Sequence, residues 1–102
     1  MTVSLQVLYP VSEGTTFDYD YYTKTHLALV GTHMGAHIES ATAIKGLAGG
    51  PDTPAGFHAV ATILCKDQAT MDAMLGGAGP VLADIPNFTN VQPQMLIGEV
   101  IS

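Results

Sequence analysis

The spacing of hydrophobic positions divides the chain into four predicted strands and two predicted helical regions. The first strand covers Val3–Tyr9 and is stopped by Pro10, because proline cannot donate a hydrogen bond to a neighbouring strand. The other strands are predicted over Ala36–Leu47, Phe57–Lys66 and Val91–Ile101. Residues 46–56, which are rich in glycine and proline, form a loop between the second and third strands.

The first helical region is predicted to begin near Phe17, with Thr15 or Thr16 as its N-terminal cap, and to end near Gly31. At 100° per residue its apolar positions fall on one stripe. The members of this stripe are Phe17, Tyr21, Tyr22, Thr25, Ala28 and Leu29. An amphipathic helix of this kind packs its stripe against a sheet.

The second helical region follows the third strand. Asp67 is a suitable cap for a short helix in which Met71, Met74 and Leu75 keep the spacing of one helical face. Three nearby glycines end this helix, and one more helical turn is predicted over Pro80–Asp84. The order of elements is therefore β-α-β-β-α-β.

This order predicts an α+β, ferredoxin-like domain that spans residues 1–102, with four antiparallel strands and both helices on one face of the sheet. The third strand is apolar on both faces, although helices of this chain can cover only one of them. Hydrophobic residues make up 47% of the chain and charged residues 12%, so a large apolar surface would be exposed in a monomer. We therefore expect a homodimer in which two sheets pack face to face.

The balance of acidic and basic residues argues against some classes of binding partner. The chain has three lysines, no arginine and nine acidic residues, for a net charge of −6. Proteins that bind nucleic acid or anionic membranes depend on basic residues, so neither partner is expected, and the ligand should be neutral or weakly charged. The sequence shows no signal peptide and no apolar run of membrane-spanning length, which predicts a cytoplasmic protein.

Metal and cofactor sites are not predicted. Cys65 is the single cysteine, which excludes an internal disulfide and a thiolate zinc site. His33, His37 and nearby Glu39 form only a weak metal-binding pattern, because two glycines interrupt a regular helix there. The glycine-rich stretches match neither a phosphate loop nor a dinucleotide-binding motif, so no cofactor is expected.

The cluster of side chains best suited to catalysis lies on the first helix. Tyr22 and His26 are four residues apart, so their side chains can touch at the edge of the apolar stripe. An imidazole beside a phenol can act as a general acid or base near neutral pH, whereas the alternative is a structural histidine bonded to a backbone carbonyl. His58, at the start of the third strand, could line a ligand pocket or a dimer interface.

Two segments of the sequence resemble the EthD family. The N-terminal segment contributes Leu8-Tyr9-Pro10 and Phe17-Asp18-x-x-Tyr21-Tyr22-x3-His26-Leu27-x-Leu29, and the C-terminal segment contributes Asp84-Ile85-Pro86-Asn87-Phe88-Thr89 and Gly98-Glu99. The family often has proline after its His-Leu pair, whereas this chain has Ala28. The resemblance implies a dimeric α-β barrel with an apolar cleft between helix and sheet in each protomer. The family takes its name from a protein that is encoded with an ether-degrading cytochrome system.

The resemblance leads to a hypothesis of enzymatic function at this cleft. We expect a small apolar or aromatic ligand, with His26 as the catalytic general acid or base of a cofactor-free isomerase, lyase, cyclase or monooxygenase. Tyr22 and Tyr9 would orient a substrate oxygen, and Phe88 and His58 would complete the substrate-binding surface. One alternative is an accessory protein that carries a metabolite to a partner oxygenase. Another is a haem protein with His26 as axial ligand.

Overall fold

The computed structural model describes all residues from Met1 to Ser102. The strands are β1 (Val3–Pro10), β2 (Ser40–Lys45), β3 (Phe57–Cys65) and β4 (Gln94–Glu99). The helices are α1 (Tyr19–Tyr21), α2 (Leu27–Met34), α3 (Gln68–Gly76) and α4 (Gly79–Asp84). A π-helical turn over Tyr22–His26 joins α1 to α2, and short 3₁₀ turns cover Gly35–His37 and Ile85–Asn87.

The four strands form one antiparallel sheet in the order β2-β3-β1-β4. This is the predicted split-βαβ arrangement, and it confirms the ferredoxin-like fold class. In the centre of the sheet Leu5 pairs with Ile63 on β3 and with Ile97 on β4. The two central strands therefore carry most of the core.

The main core lies between the sheet and the helices. Alternate residues of β1 and β3 are buried on the helix-facing side, among them Val3, Leu5, Ile63 and Cys65. Met71 and Met74 of α3 pack against them. Burial on a single side of the sheet confirms that the helices share one face. None of the helices is long and apolar enough to cross a membrane.

The opposite face of the sheet is more polar than the apolarity of the third strand predicted. Val60 and Leu64 of β3 lie there, but so does Thr62 between them, and its neighbours on the adjacent strands are Gln6 and Thr42. Gln6 Nε2 donates a hydrogen bond of 3.4 Å to Thr62 Oγ1 across the strands. Leu96 of β4 and Ile44 of β2 are 60% and 62% exposed on this face. The open face is therefore mixed, with apolar residues around a polar centre.

The first helical region starts later and ends later than the sequence predicted. Its cap is Asp18, whose Oδ1 accepts a hydrogen bond of 3.1 Å from the Tyr21 backbone N–H. Thr15 instead bonds within the preceding turn, where its hydroxyl donates to the Ser12 carbonyl. Gly31 does not end the helix, because one interior glycine costs only about 1 kcal/mol and packing of the neighbouring residues offsets it.

Two strands are shorter than predicted. The chain between residues 35 and 37 forms a 3₁₀ turn, so β2 begins at Ser40. The fourth strand begins at Gln94, immediately after Pro93, which cannot join the ladder. The predicted cap of the second helical region is confirmed, since Asp67 Oδ1 accepts a hydrogen bond of 2.8 Å from the Thr70 backbone N–H.

Candidate functional site

A cleft of about 400 Å³ lies between α2 and the helix-facing side of the sheet. It exists because the helices cover β1 and β3 but leave the edge strand β2 exposed along its whole length. Most residues that line it are aliphatic. The aliphatic side chains come from Leu5, Val7, Leu27, Val30, Met34, Ile38, Ile63, Val81 and Ile85. The resemblance predicted an apolar cleft in this position.

Three polar side chains converge at one part of this cleft. Tyr9, Tyr22 and His26 line it, and their exposed fractions are only 1%, 3% and 3%. Neither phenol hydroxyl, nor Nε2 of His26, has a hydrogen-bond partner in the chain, whereas every side-chain nitrogen or oxygen sealed from solvent does have one. These three atoms are therefore open to the cleft, where a ligand can bond to them.

The π-helical turn places two of these groups side by side. The Leu27 backbone N–H bonds to the Tyr22 carbonyl, five residues back, which closes the wide turn. The Tyr22 and His26 rings stack at a centroid separation of 5.5 Å and an interplanar angle of 17°. Wide turns of this kind are rare and often occur at functional sites. Here the turn brings Tyr22, His26 and Leu27 to the cleft together.

Asp84 fixes the orientation of the His26 ring. Its Oδ2 lies 3.0 Å from Nδ1 of His26, while its Oδ1 accepts hydrogen bonds from the Tyr21 hydroxyl at 2.6 Å and from Asn87 Nδ2 at 2.9 Å. The bond from Tyr21, followed by those from Asn87 and His26, lowers the pKa of Asp84 below its usual range. An ionised carboxylate can only accept, so the proton of a neutral His26 ring is on Nδ1. The lone pair of Nε2 then faces the cleft.

The two cleft phenols keep their protons at neutral pH. Burial raises the pKa of Tyr22 to about 12. Burial, together with the nearby Tyr22, raises the pKa of Tyr9 further above its ordinary value. Both hydroxyls are therefore hydrogen-bond donors toward a ligand oxygen, beside a ring nitrogen that accepts protons.

Phe88 lies behind this group instead of in the cleft wall. Its ring centroid is 4.5 Å from that of His26, 5.2 Å from that of Tyr22 and 5.8 Å from that of Tyr9. Phe88 is buried and is absent from the cleft lining. Phe88 therefore holds the three cleft residues in place from the rear, and its role as a wall of the pocket stays a prediction.

His58 also lies outside the cleft, and its role in substrate binding stays a prediction. Strand alternation places it out of phase with Ala59 and Ala61, whose side chains face the helices. Its Nε2 is 3.0 Å from Thr15 Oγ1, and its ring stacks on Phe17 at 5.8 Å. His58 anchors the loop that precedes α1.

Sequence reasoning missed the role of Asp84 and of its hydroxyl donor Tyr21. The sequence pattern predicts Asp84 only as the end of a helical turn. The one feature that could have pointed to a functional role is that Asp84 begins the Asp84-to-Thr89 segment of the family resemblance. No group of three or more His, Cys, Asp or Glu side chains, including the histidines at positions 33 and 37, is arranged to hold a metal ion. No charged Lys, Asp or Glu side chain lines the cleft.

Solved structures similar to this chain come from several bacteria. An EthD-like protein from Ralstonia eutropha JMP134 is 32% identical, with a TM-score of 0.88 over 99% of this chain and 93% of that chain. An ethyl tert-butyl ether degradation (EthD) family protein from Bacillus halodurans C-125 is 20% identical, with a TM-score of 0.76 over 99% and 100% of the two chains. SnoaB, a cofactor-independent oxygenase from Streptomyces nogalater, is 9% identical, with a TM-score of 0.64 over 99% and 94%.

No protein-family model and no curated protein sequence matches the chain. The low identity of the Streptomyces protein shows only that it shares the fold. The Ralstonia protein, in contrast, is similar in sequence as well as in structure over nearly the full length of both chains. The chain therefore belongs to the EthD family, in the dimeric α-β barrel class of ferredoxin-like folds.

Proposed function

We propose that the protein binds a small, neutral, largely apolar carbonyl or phenol compound in the cleft and catalyses proton transfer on it without a cofactor. The observation that carries this proposal is the His26–Asp84 pair at 3.0 Å, buried beside two phenols whose hydroxyls have no partner in the chain. Buried polar groups are normally paired within the protein. A ligand hydroxyl at this end would accept from both phenols and donate to Nε2, whereas a carbonyl oxygen would accept from the phenols while an adjacent C–H faces Nε2.

The proposed step is removal of a proton from a carbon next to a carbonyl group. Nε2 of His26 takes the proton, the C–H electron pair forms a C=C bond as the carbonyl π pair moves onto oxygen, and an enolate results. Hydrogen bonds from Tyr9 and Tyr22 stabilise the negative oxygen, and each such donor contributes about 10²–10³ in rate in known enzymes. Asp84 stabilises the imidazolium, which returns the proton to the same carbon or to a neighbouring one. Isomerisation, aldol cyclisation and elimination can all start from this enolate.

A model carbon acid tests this proposal without knowledge of the natural substrate. The neutral ketone 2-tetralone is incubated with the protein in D₂O at pD 7, and the loss of its α-proton signals is followed by NMR. We expect the wild type to accelerate exchange over buffer. His26→Gln should reduce the protein-dependent rate by about 10²–10⁴, because an amide cannot accept the proton.

The control variant is His33→Gln, which removes an exposed histidine from α2 that does not line the cleft. It should exchange at the wild-type rate. If His26→Gln loses less than about tenfold while it remains folded, His26 is not the base. Binding of 2-tetralone without any accelerated exchange would instead support the accessory role, in which the protein carries a ligand for a partner enzyme.

The proposed assembly is a homodimer that covers the open face of the sheet. Leu96 and Ile44 lie on that face and are more than half exposed, and Val60 and Leu64 lie between them. Ile44, Val60 and Leu8 form one apolar row across three strands of this face, and an uncovered apolar row of this kind is typical of a protein interface. A dimeric ferredoxin-like protein from Thermobifida fusca shares the fold, with a TM-score of 0.65 at 9% identity. Light scattering should give twice the protomer mass of 10.6 kDa, and a stable monomer would contradict the proposal.

A further inference from the structure

Two glycines line the cleft where it faces the edge of the sheet. Gly31 and Gly35 follow Leu27 at intervals of four residues, so the three positions lie on one stripe of the helix. Leu27 fills its part of the cleft with a side chain, whereas the glycines contribute only backbone. A Cβ atom built at either glycine has no other atom within 4 Å. The space beside both glycines is therefore empty in the protein itself.

The strand opposite contributes only the short side chains of Ala41, Thr42 and Ala43 to the lining. Ala41 and Ala43 of β2 line the cleft, and they pair with Ile63 and Ala61, which face the helices. Gly31, Gly35, Ala41 and Ala43 together border an opening that we call the port. No side chain at these four positions extends beyond Cβ, so the port is open to solvent at a place where larger residues would close it.

The port lies in the same cleft as the buried polar groups. Tyr9, Tyr22 and His26 are the buried members of the lining with free polar atoms, and none of them is more than 3% exposed. A row of small residues does not by itself define a binding site. Here the unpartnered hydroxyls and Nε2 supply the independent observation, because they belong to almost fully buried side chains and are open to the cleft, where a ligand can bond to them.

Resting on the function proposed above, we infer that Gly31 and Gly35 determine ligand size: the port admits the apolar body of a neutral multi-ring aromatic compound whose oxygen lies at His26, Tyr9 and Tyr22. A single-ring compound would occupy only the polar part of the cleft. A compound of two or three fused rings would extend along the aliphatic lining toward the port, where flat ring faces contact the glycine backbone. No charged group of the cleft offers a partner for a ligand carboxylate or ammonium.

Binding of two phenols of different size tests the role of the port. The probes are phenol, with one ring, and 9-phenanthrol, with three, and both are neutral at pH 7. Binding of 9-phenanthrol is followed by its own fluorescence, since the chain has no tryptophan. Binding of phenol is followed by NMR titration. We expect the wild type to bind 9-phenanthrol more tightly than phenol.

Gly31→Leu places a side chain into the port. It should weaken the binding of 9-phenanthrol by at least about tenfold, since loss of one well-fitted apolar contact in a pocket has that effect. The binding of phenol should change by less than about twofold. Gly31→Ala is the milder variant, and it should weaken 9-phenanthrol by an intermediate factor. Circular dichroism should show the wild-type helix content in both variants, because the Cβ position at Gly31 is unobstructed.

Gly76→Leu is the matched control. Gly76 ends α3, is exposed, does not line the cleft, and has an equally unobstructed Cβ position. It should bind both probes as the wild type does. Equal loss of both probes in Gly31→Leu would overturn the inference, as would no loss of either. Failure of the wild type to bind 9-phenanthrol more tightly than phenol would overturn the ligand class.

The outcome is separate from that of the proton-transfer proposal. If size selection at the port fails but His26→Gln still abolishes exchange of 2-tetralone, the proposed catalysis holds and the port does not select size. If Gly31→Leu weakens 9-phenanthrol but not phenol, and the wild type does not accelerate exchange of 2-tetralone, the port selects ligand size in a carrier protein that is not an enzyme.

Discussion

The buried carboxylate of Asp84 allows a prediction that separates its charge from its shape. Asp84→Asn keeps the size and planarity of the group but replaces three charge-assisted hydrogen bonds with neutral ones. Bonds to charged groups contribute about 1.5–3 kcal/mol each, and neutral bonds about 0.5–1.5 kcal/mol. Because Asp84 is 7% exposed, water does not replace the lost interactions. We expect the free energy of unfolding to fall by about 2–3 kcal/mol in total.

The same substitution should reverse the tautomer of His26. The carboxamide that replaces the carboxylate would keep its oxygen toward the Tyr21 hydroxyl and Asn87, and would turn its NH₂ group toward Nδ1 of His26. Nδ1 must then accept, so the proton moves to Nε2 and the lone pair toward the cleft is lost. Exchange of 2-tetralone should fall by about 10²–10⁴, as for loss of the base. Nitrogen-15 chemical shifts of the ring report the tautomer directly.

The assay is urea unfolding at pH 7 at fixed protein concentration, followed by far-ultraviolet circular dichroism. Asp72→Asn serves as control, because Asp72 is an exposed carboxylate bonded only to Gln68 within the same helix. Surface pairs of that kind contribute little to stability, so its unfolding midpoint should match the wild type. A loss of less than about 0.5 kcal/mol for Asp84→Asn would refute the account of a buried charged network.

The lowered pKa of Asp84 predicts how the stability difference between the wild type and Asp84→Asn changes with pH. The pKa of Asp84 is lowered in the folded state, so its contribution to stability is present above the unfolded pKa of about 4 and is lost as the pH falls through the folded value. The difference between the wild type and Asp84→Asn should therefore be constant near neutral pH. It should shrink toward zero in acid. A difference that stays constant down to pH 2 would contradict the lowered pKa.

Three further predictions concern the cleft. Tyr9→Phe should lower the exchange rate of 2-tetralone by about 10²–10³ with little change in helix content, because it removes one oxyanion donor; an unchanged rate would exclude that role. Tyr22 should show no tyrosinate absorbance below about pH 11, which a difference spectrum between the wild type and Tyr22→Phe would check. The contribution of Tyr22 to stability is present below the unfolded pKa of about 10, and it should be lost as the pH rises toward 12. Gly31→Ala should raise the free energy of unfolding by about 0.5–1 kcal/mol, since alanine is the better helix former and its Cβ meets no atom; a lower stability would show that the position is obstructed.

The order of strands and helices was predictable because it depends on local patterns. Alternating apolar residues specified β1 and a continuous apolar run specified β3, while the Asp67 cap and the spacing of Met71 and Met74 specified α3. Element ends were less predictable, because several residues can act as a cap and tertiary contacts choose among them. The N-terminal cap of α1 is Asp18 and not Thr15, because the Thr15 hydroxyl bonds to Ser12 in the preceding turn and to His58.

Of the candidate site, the sequence alone determined that Tyr22 and His26 are neighbours, because four residues on one helix always are. Asp84, by contrast, is 58 residues from His26, and only the packing of α4 against α2 brings the two side chains within 3.0 Å. For His58 the residue type suggested a ligand contact, but its position in the strand places it outside the cleft. Local spacing fixes which side chains share a face, whereas the closing of the chain on itself decides which faces meet.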